Sequence, residues 1–332
     1  MRILAIETSC DETGVAVVED GRRIRSNVIA SQTAHQATGG IVPEVAAREH
    51  LRALDPITEQ ALREAGMELR DVDAIAATVG PGLIGALLVG ANYGRGLALA
   101  AGLPFVGVNH LEGHVYANWL YDTEDVPPEP ELPAIVLVVS GAHSDLVLME
   151  AHRRFRMLGH TIDDAAGEAY DKVARLLGLG FPGGPEIERT ARDGDPTSHQ
   201  LPKAWLPDRY DFSFSGLKTA TLRLVRSLEA KGAVPVADVA ASFQKAINDA
   251  LAEKVARAAA EHGVRMVMLG GGVAANGPLR AEIQRRTSVP LRVPPPRLCT
   301  DNGAMIGAAA FFSLRHRTGE IPTLVRSSMP LA

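Results

Sequence analysis

Cysteine is almost missing from this chain of 332 residues; only Cys10 and Cys299 occur. Two thiols are too few for a disulfide framework, so the composition points to a reducing compartment and a cytoplasmic protein. Long basic runs are missing as well. The densest spots are Arg22-Arg23 and Arg153-Arg154 and the net charge is −5, so charge alone lends no support to nucleic-acid binding, while leaving room for a local basic patch. The first residues make too short an apolar stretch for a signal peptide. Residues 74–94 lack charge over a length that would span a membrane. Pro81 and Gly80, Gly82, Gly85 and Gly90 interrupt that stretch, however, and Asn92 and Tyr93 are polar. A strand over 74–79, a glycine turn and a buried helix fit it better, and no membrane is expected. No GxGxxG follows the first strand and GxxxxGK[ST] occurs nowhere, which excludes Rossmann and P-loop nucleotide sites.

What is present is ordinary in bulk: 46% apolar and 22% charged residues, as in a soluble globular protein. The length suits two domains. The 32 glycines cluster in short runs, which fits either backbone approaching ligands or tight turns. Among ten histidines the tightest pair is His110 and His114. Four apart on a helix, they share a face and both can reach one metal ion. The zinc-protease pattern His-Glu-x-x-His needs its Glu directly after the first His. Here Glu112 stands two after His110, roughly 200° round the helix, and points away from any metal. The pair therefore reads either as a metal site without a hydrolytic base or as two unrelated polar residues near a cap at Asn109.

The chain repeats itself. Residues 3–7, 13–19 and 24–30 read as three strands, with the polar turn Thr8–Glu12 after the first. Residues 134–139, 144–150 and 155–159 read the same way, with Ser140-Gly141-Ala142-His143 as the turn. Helical sequence follows each triple, near 43–65 and 162–178. The α/β pattern continues with a buried strand at 264–269, Gly270-Gly271-Gly272, a helix opened by Asn276-Gly277-Pro278, a short strand at 291–293 and a helix over 302–314. Residues 122–133, rich in proline and acid, look like a linker. We expect an N-terminal lobe over 1–125, completed by the C-terminal stretch 302–332, and a C-terminal lobe over 131–301. Two similar lobes whose polar turns face one another describe a nucleotide cleft, because turn amides and helix N-termini bind phosphate. The expected class is α/β with an actin-like ATPase fold.

Eight segments then carry a resemblance: IETSCDETGVAV (6–17), GGIVPEVAAREH (39–50), VGPGLIGALLVG (79–90), VNHLEGHVYA (108–117), IDDAAGEAYDKVARLLGLGFPGGP (162–185), FSFSGLKTA (212–220), GGGVAAN (270–276) and CTDNGAMIG (299–307). Together they resemble the tRNA adenosine threonylcarbamoyltransferases, in the bacterial form. The resemblance implies transfer of a threonylcarbamoyl group from threonylcarbamoyl-adenylate to the exocyclic amine of tRNA adenosine 37, with release of AMP. It implies one divalent metal, iron with zinc as the alternative, on His110, His114 and Asp301. Two imidazoles and a carboxylate leave open positions for a substrate oxygen. By itself Asp301 reads as an N-cap, and it could serve as both. The resemblance further implies catalytic support from Asp11 and Glu12, and substrate contacts from Val138, Val139, Ser140, Gly141, Ala142, Asp171, Gly184, Glu188 and Asn276. ATP or ADP would fit the same cleft.

The chain departs from the family pattern at three of these positions. Ala142 stands where a second glycine is usual, Ser144 where threonine is, and Glu188 where aspartate is common. Ala142 is harmless at negative φ and obstructive otherwise. His143 either touches substrate or fills its turn. Ser213, Ser215 and Lys218 carry a family marker without a physical role. The implied partners are tRNA, an inactive actin-fold paralogue and a small P-loop ATPase. A net charge of −5 sits awkwardly with tRNA, and a basic surface shared across that assembly would resolve it. The competing readings are a metalloprotease, an actin-fold sugar kinase or ATPase, and a non-catalytic scaffold; the family's inactive paralogues lack the histidine pair.

Overall fold

The computed structural model describes residues 1–32, 40–202, 209–316 and 321–331. Residue 39 of the 39–50 segment, and residues 317–320 and 332 of the C-terminal stretch, lie outside the described residues. Two compact units emerge. One comprises Met1–Pro130, Ala151–Phe155 and Arg297–Ala332, the other Glu131–Glu150 and Arg156–Pro296.

In the first unit, Arg2–Glu7 (β1), Glu12–Glu19 (β2) and Arg23–Ser31 (β3) form an antiparallel meander. Pro43–Ala65 (α1), Ala74–Gly80 (β4), Ile84–Ala101 (α2), Phe105–Asn109 (β5) and His110–Tyr116 (α3) follow. β4 pairs parallel to β1, and β5 parallel to β4, giving the order β3-β2-β1-β4-β5. β1 and β4 are buried nearly end to end because helices cover both faces of the sheet. On one face Leu4, Ile6, Val15, Val17 and Ile75 pack with Leu54, Ile57 and Ala61 of α1 and Ala98 of α2. Proline in its first turn suits the start of α1, and Gly66 at φ 66° ends it in the left-handed conformation.

α2 corrects the expectation of a buried helix. Its buried side is Leu87 and otherwise small residues (Ala86, Gly90, Ala91, Gly94, Ala98), and Gly94 lies close against the sheet. Its outward side exposes Ile84, Leu88 and Leu99. On length and composition it is apolar enough to cross a membrane. Half-exposure arises because the sheet and α1 pack against α2 while Ile84, Leu88 and Leu99 stay exposed.

The second sheet contains Ala134–Val139 (β6), Ser144–Ala151 (β7) and Arg154–Gly159 (β8), followed by Ala166–Leu176 (α4), Gly183–Ala191 (α5), Ser215–Glu229 (α6), Val236–His262 (α7), Met266–Gly270 (β9), Gly277–Arg286 (α8) and Leu291–Arg292 (β10). Its order is β10-β9-β6-β7-β8, with β6 and β7 antiparallel and β9 and β10 added in parallel. Read from the β8 edge, this is the topology of the first sheet. The repeat therefore extends beyond the strand triples to all five strands.

α4 begins at Ala166, four residues later than the sequence pattern suggests, because Asp163 and Asp164 are engaged elsewhere. The Asp163 carboxylate accepts the Ser213 hydroxyl at 2.5 Å and the Phe214 and Ser215 amides at 2.8 and 3.3 Å, capping α6 from outside. Asp164 takes Lys218 at 2.5 Å and Lys172 at 3.1 Å. These contacts supply the physical role that Ser213, Ser215 and Lys218 lacked.

Pro296–Cys299 (α9) and Gly303–Arg315 (α10) close the chain's ordered core. α10 covers the other face of the first sheet, the face that carries Ala5, Ala16 and Val18. A Cβ at Gly303 would meet the Ala16 nitrogen at 2.7 Å, and one at Gly307 the Val18 side chain at 2.7 Å. The helix lies this close only because both positions are glycine.

Candidate metal centre and substrate-binding turns

β5 runs straight into α3, so the histidine pair sits where a buried strand becomes a helix. Asn109 makes the change: its side-chain oxygen accepts the Leu111 amide at 2.8 Å, and its own amide donates to the Pro330 carbonyl at 3.0 Å. His110 and His114 lie one turn apart, ring centroids 4.6 Å apart and planes at 81°. Asp301 Oδ1 stands 3.5 Å from His110 Nε2 and 3.2 Å from His114 Nε2. One ligand atom from each of the three falls within 4.8 Å of the others. The reading of Asp301 as an N-cap is corrected: Asn302 caps α10 by accepting the Met305 amide at 3.0 Å, which leaves Asp301 to face the histidines.

The donor set fits a divalent cation. His114 is 1% exposed; its Nδ1 makes no hydrogen bond among the described residues, and its Nε2 faces Asp301 Oδ1 at 3.2 Å. A buried imidazole in that condition is costly, and a shared cation on Nε2 would offset that cost. Burial also holds the His114 imidazole below its ordinary value, favouring the neutral form that a metal needs. Burial acts on His110 in the same sense, but the carboxylates of Asp301 and Glu7 outweigh it and carry His110 up to about 9.

Glu7, at the end of β1, is fully buried under His110. Its Oε2 lies 3.1 Å from His110 Nδ1 and accepts the Thr78 hydroxyl at 2.6 Å; its Oε1 accepts the Ser9 amide at 2.5 Å. Burial pushes this carboxyl up, but the neighbouring His110 charge brings it below its usual range. Ser9 Oγ is also 3.1 Å from His110 Nδ1. On the far side of α3, Glu112 faces Arg153, with Oε2 3.7 Å from Nε, and the Tyr116 hydroxyl accepts the Arg153 amide at 3.1 Å. Glu112 thus turns away from the triad, as its place in the sequence implies.

Asp11 lies in the turn between β1 and β2, and Glu12 is the first residue of β2. Glu12 Oε2 accepts the Ser31 hydroxyl at 2.7 Å. Burial raises the Glu12 carboxyl; the Ser31 hydrogen bond opposes it, and the charges of Asp11 and Asp301 add to the rise. His50 of α1 anchors that turn, with Nε2 3.0 Å from the Cys10 carbonyl and Nδ1 2.8 Å from the Thr13 hydroxyl. Sequence reasoning missed Glu7, Ser9, His50 and Thr78. Glu7, Ser9 and His50 lie inside the family-like segments, but nothing in their spacing shows what they touch.

The residues expected to bind substrate lie in the second unit. Val138 and Val139 are fully buried at the end of β6. Ser140 donates its amide to the His143 carbonyl at 2.8 Å, and its hydroxyl accepts the His143 amide at 3.2 Å, so the turn closes on itself. Ala142 and Gly141 both lie outside the left-handed region, so Ala142 carries no backbone strain and the missing glycine costs the turn nothing. Asp171 is not a free surface acid beside Lys172: its Oδ1 accepts the Gly183 amide at 2.7 Å at the start of α5. Gly184 therefore opens a helix rather than ending one, and the space around it is open. Asn276 caps α8 through the Leu279 amide at 2.9 Å and donates to Gln244 at 2.8 Å and Glu188 at 3.0 Å. The structure thus joins Glu188 to Asn276 and Asp171 to the α5 N-terminus.

A family model described as tRNA N6-adenosine threonylcarbamoyltransferase matches residues 23–308. A protein of that name from Thermomicrobium roseum is 51% identical, with 100% of this chain and 97% of the relative covered. One from Symbiobacterium thermophilum is 52% identical, covering 94% and 92%. Among solved structures, HypF from T. kodakarensis superposes with a TM-score of 0.63 at 16% identity, covering 95% of this chain and 48% of that one. Component A of the Acidaminococcus fermentans (R)-2-hydroxyglutaryl-CoA dehydratase gives 0.53 at 17% identity, covering 94% and 98%. These two share the actin-like ATPase fold with this chain.

Proposed function

The chain belongs to the tRNA N6-adenosine threonylcarbamoyltransferase family, an enzyme of the transferase class, and from that premise we propose the reaction in full. Threonylcarbamoyl-adenylate gives its acyl group to N6 of adenosine 37 in tRNAs that read ANN codons. The amine nitrogen bonds to the carbamoyl carbon, the bond from that carbon to the adenylate oxygen breaks, AMP leaves, and one N6 proton passes to a base. The observation that carries the reading is the convergence of buried His110 and His114 with Asp301 on one point. Iron, with zinc as the alternative, would be held there and would supply positive charge to a carbonyl or carboxylate oxygen of the donor. Glu12, its carboxyl raised above the ordinary range by burial, suits proton acceptance from the incoming amine, with Asp11 beside it.

We assign the adenylate to the second unit, around the Val138–Ala142 strand end and turn, with Asp171, Gly184, Glu188 and Asn276; ATP or ADP would take the same place. The assignment draws support from the α5 N-terminus, which presents Gly184 without side-chain obstruction. The partners in this reading are tRNA, an inactive actin-fold paralogue and a small P-loop ATPase, in the cytoplasm and away from membranes. The exposed side chains Ile84, Leu88 and Leu99 of α2, with Leu51 of α1, supply an apolar surface suited to the paralogue. The test is transfer of labelled threonylcarbamate from the synthetic adenylate to unmodified tRNA with all partners present. Product is expected from the parent chain and not from His114→Ala. No product from the parent under those conditions refutes the proposal.

A further inference from the structure

We infer that Glu7 prepares His110 for the cation by fixing the tautomer in which Nδ1 carries the proton and Nε2 offers its lone pair; this rests on the metal reading above. Three observations carry it. Glu7 is 0% exposed, and a carboxylate is retained at a depth where an apolar residue would pack at less cost. Its other partners among the described residues are donors: the Ser9 amide on Oε1, and the Thr78 hydroxyl on Oε2 at 2.6 Å. The same Oε2 then faces His110 Nδ1 at 3.1 Å. An ionised carboxylate only accepts, so Nδ1 must donate. The remaining ring nitrogen, Nε2, is the one that turns toward Asp301 and lies near His114.

Ser9 is a weaker candidate for the same task. Its hydroxyl is equally near Nδ1, but a hydroxyl accepts or donates and so selects no tautomer. Thr78 acts one step further out, holding Oε2 in place from β4. Glu7 is therefore a positioning residue, acting on the cation through His110. Such outer partners typically contribute about 10- to 100-fold in metal affinity.

The experiment uses the full chain, stripped of metal and titrated with Zn2+ against a chromophoric chelator. Glu7→Gln is expected to bind zinc about 10- to 100-fold more weakly than the parent, with an unchanged near-ultraviolet circular dichroism spectrum. Nitrogen-15 spectra of the zinc-loaded parent should show His110 protonated at Nδ1. Equal zinc affinity in parent and Glu7→Gln, or His110 protonated at Nε2, overturns the inference and leaves the metal reading standing. A parent chain that binds neither Zn2+ nor, in the same titration run without oxygen, Fe2+ overturns both. If Glu7→Gln does not fold, Thr78→Val decides: weaker binding supports the inference and unchanged binding overturns it.

Discussion

Replacing Gly303 by alanine tests the packing that brings Asp301 to the histidines. The new Cβ would lie 2.7 Å from the Ala16 nitrogen, 2.8 Å from the Val15 carbonyl carbon and 3.0 Å from the Ala5 oxygen. All three are backbone atoms of the central strands, so no side chain can rotate out of the way. Relief requires α10 to move outward or β1 and β2 to bend. Overpacking of this kind costs about 1–3 kcal/mol. Gly303 is the first residue of α10, where alanine's better helix propensity returns little. At about 2–4 °C per kcal/mol the melting temperature should fall by roughly 2–12 °C. Gly96 is the matched control: it lies within α2, is exposed, and has nothing within 4 Å of its Cβ position. Gly96→Ala should gain about 0.5–1 kcal/mol. Differential scanning calorimetry of the metal-free proteins reads both. Because Asp301 stands two residues before Gly303, zinc affinity should fall in Gly303→Ala and stay constant in Gly96→Ala. A Gly303→Ala chain that melts at or above the parent would refute the close-approach argument.

Other expectations follow from single groups. His110→Ala and Asp301→Ala should each lower bound metal from one equivalent toward zero, as read by elemental analysis after gel filtration; full retention in both variants would remove the triad as the site. Asp163→Ala removes the acceptor of two amides and a hydroxyl at α6 and should cost about 1–2 kcal/mol in denaturant unfolding; no change would show that water caps the helix as well. Asp145 is buried on β7, and burial raises its carboxyl from 3.8 to about 6, with His160 opposing. Its folded state holds the proton more tightly than the unfolded chain, so stability is lost as pH rises from about 4 through 6. Asp145→Asn should therefore be more stable than the parent at pH 7, by up to about 3 kcal/mol, and the difference should vanish near pH 4; a gain independent of pH would contradict the assignment.

Periodicity and punctuation made much of this fold legible. Residues 134–139 form one uninterrupted apolar run and are a strand with those bounds. The first helix, expected near 43–65, runs over Pro43–Ala65, and Gly66 ends it in the left-handed conformation. Less legible were helix starts governed by distant partners. Asp163 and Asp164 read as the first turn of a helix, but their carboxylates are committed to Ser213 and Lys218 some fifty residues on, and no local pattern records that. The outward face of α2 was hidden for another reason: hydropathy cannot tell which side of an apolar helix meets the sheet. At the candidate site, four-residue spacing was enough to pair His110 with His114. Asp301 came only from family resemblance, since locally it looks like a cap, and Asn302 beside it does the capping. Glu7 escaped because a lone acid at the end of a strand normally reads as solvated.

α10 has a consequence for the order in which the molecule comes into being. A nascent chain that has reached Arg292 already contains the ten strands of the described residues, but the face of β1 and β2 that carries Ala5, Ala16 and Val18 still lacks its helix. His110 and His114 emerge from the ribosome long before Asp301, so early in synthesis two imidazoles wait without their carboxylate. Closing the first unit demands a chain loop running from Asn109 to Asp301, and the entropy of that loop falls due only once translation is nearly over. Convergence of the three side chains is thus coupled to the end of synthesis: a truncated product keeps the histidine pair but not the complete triad.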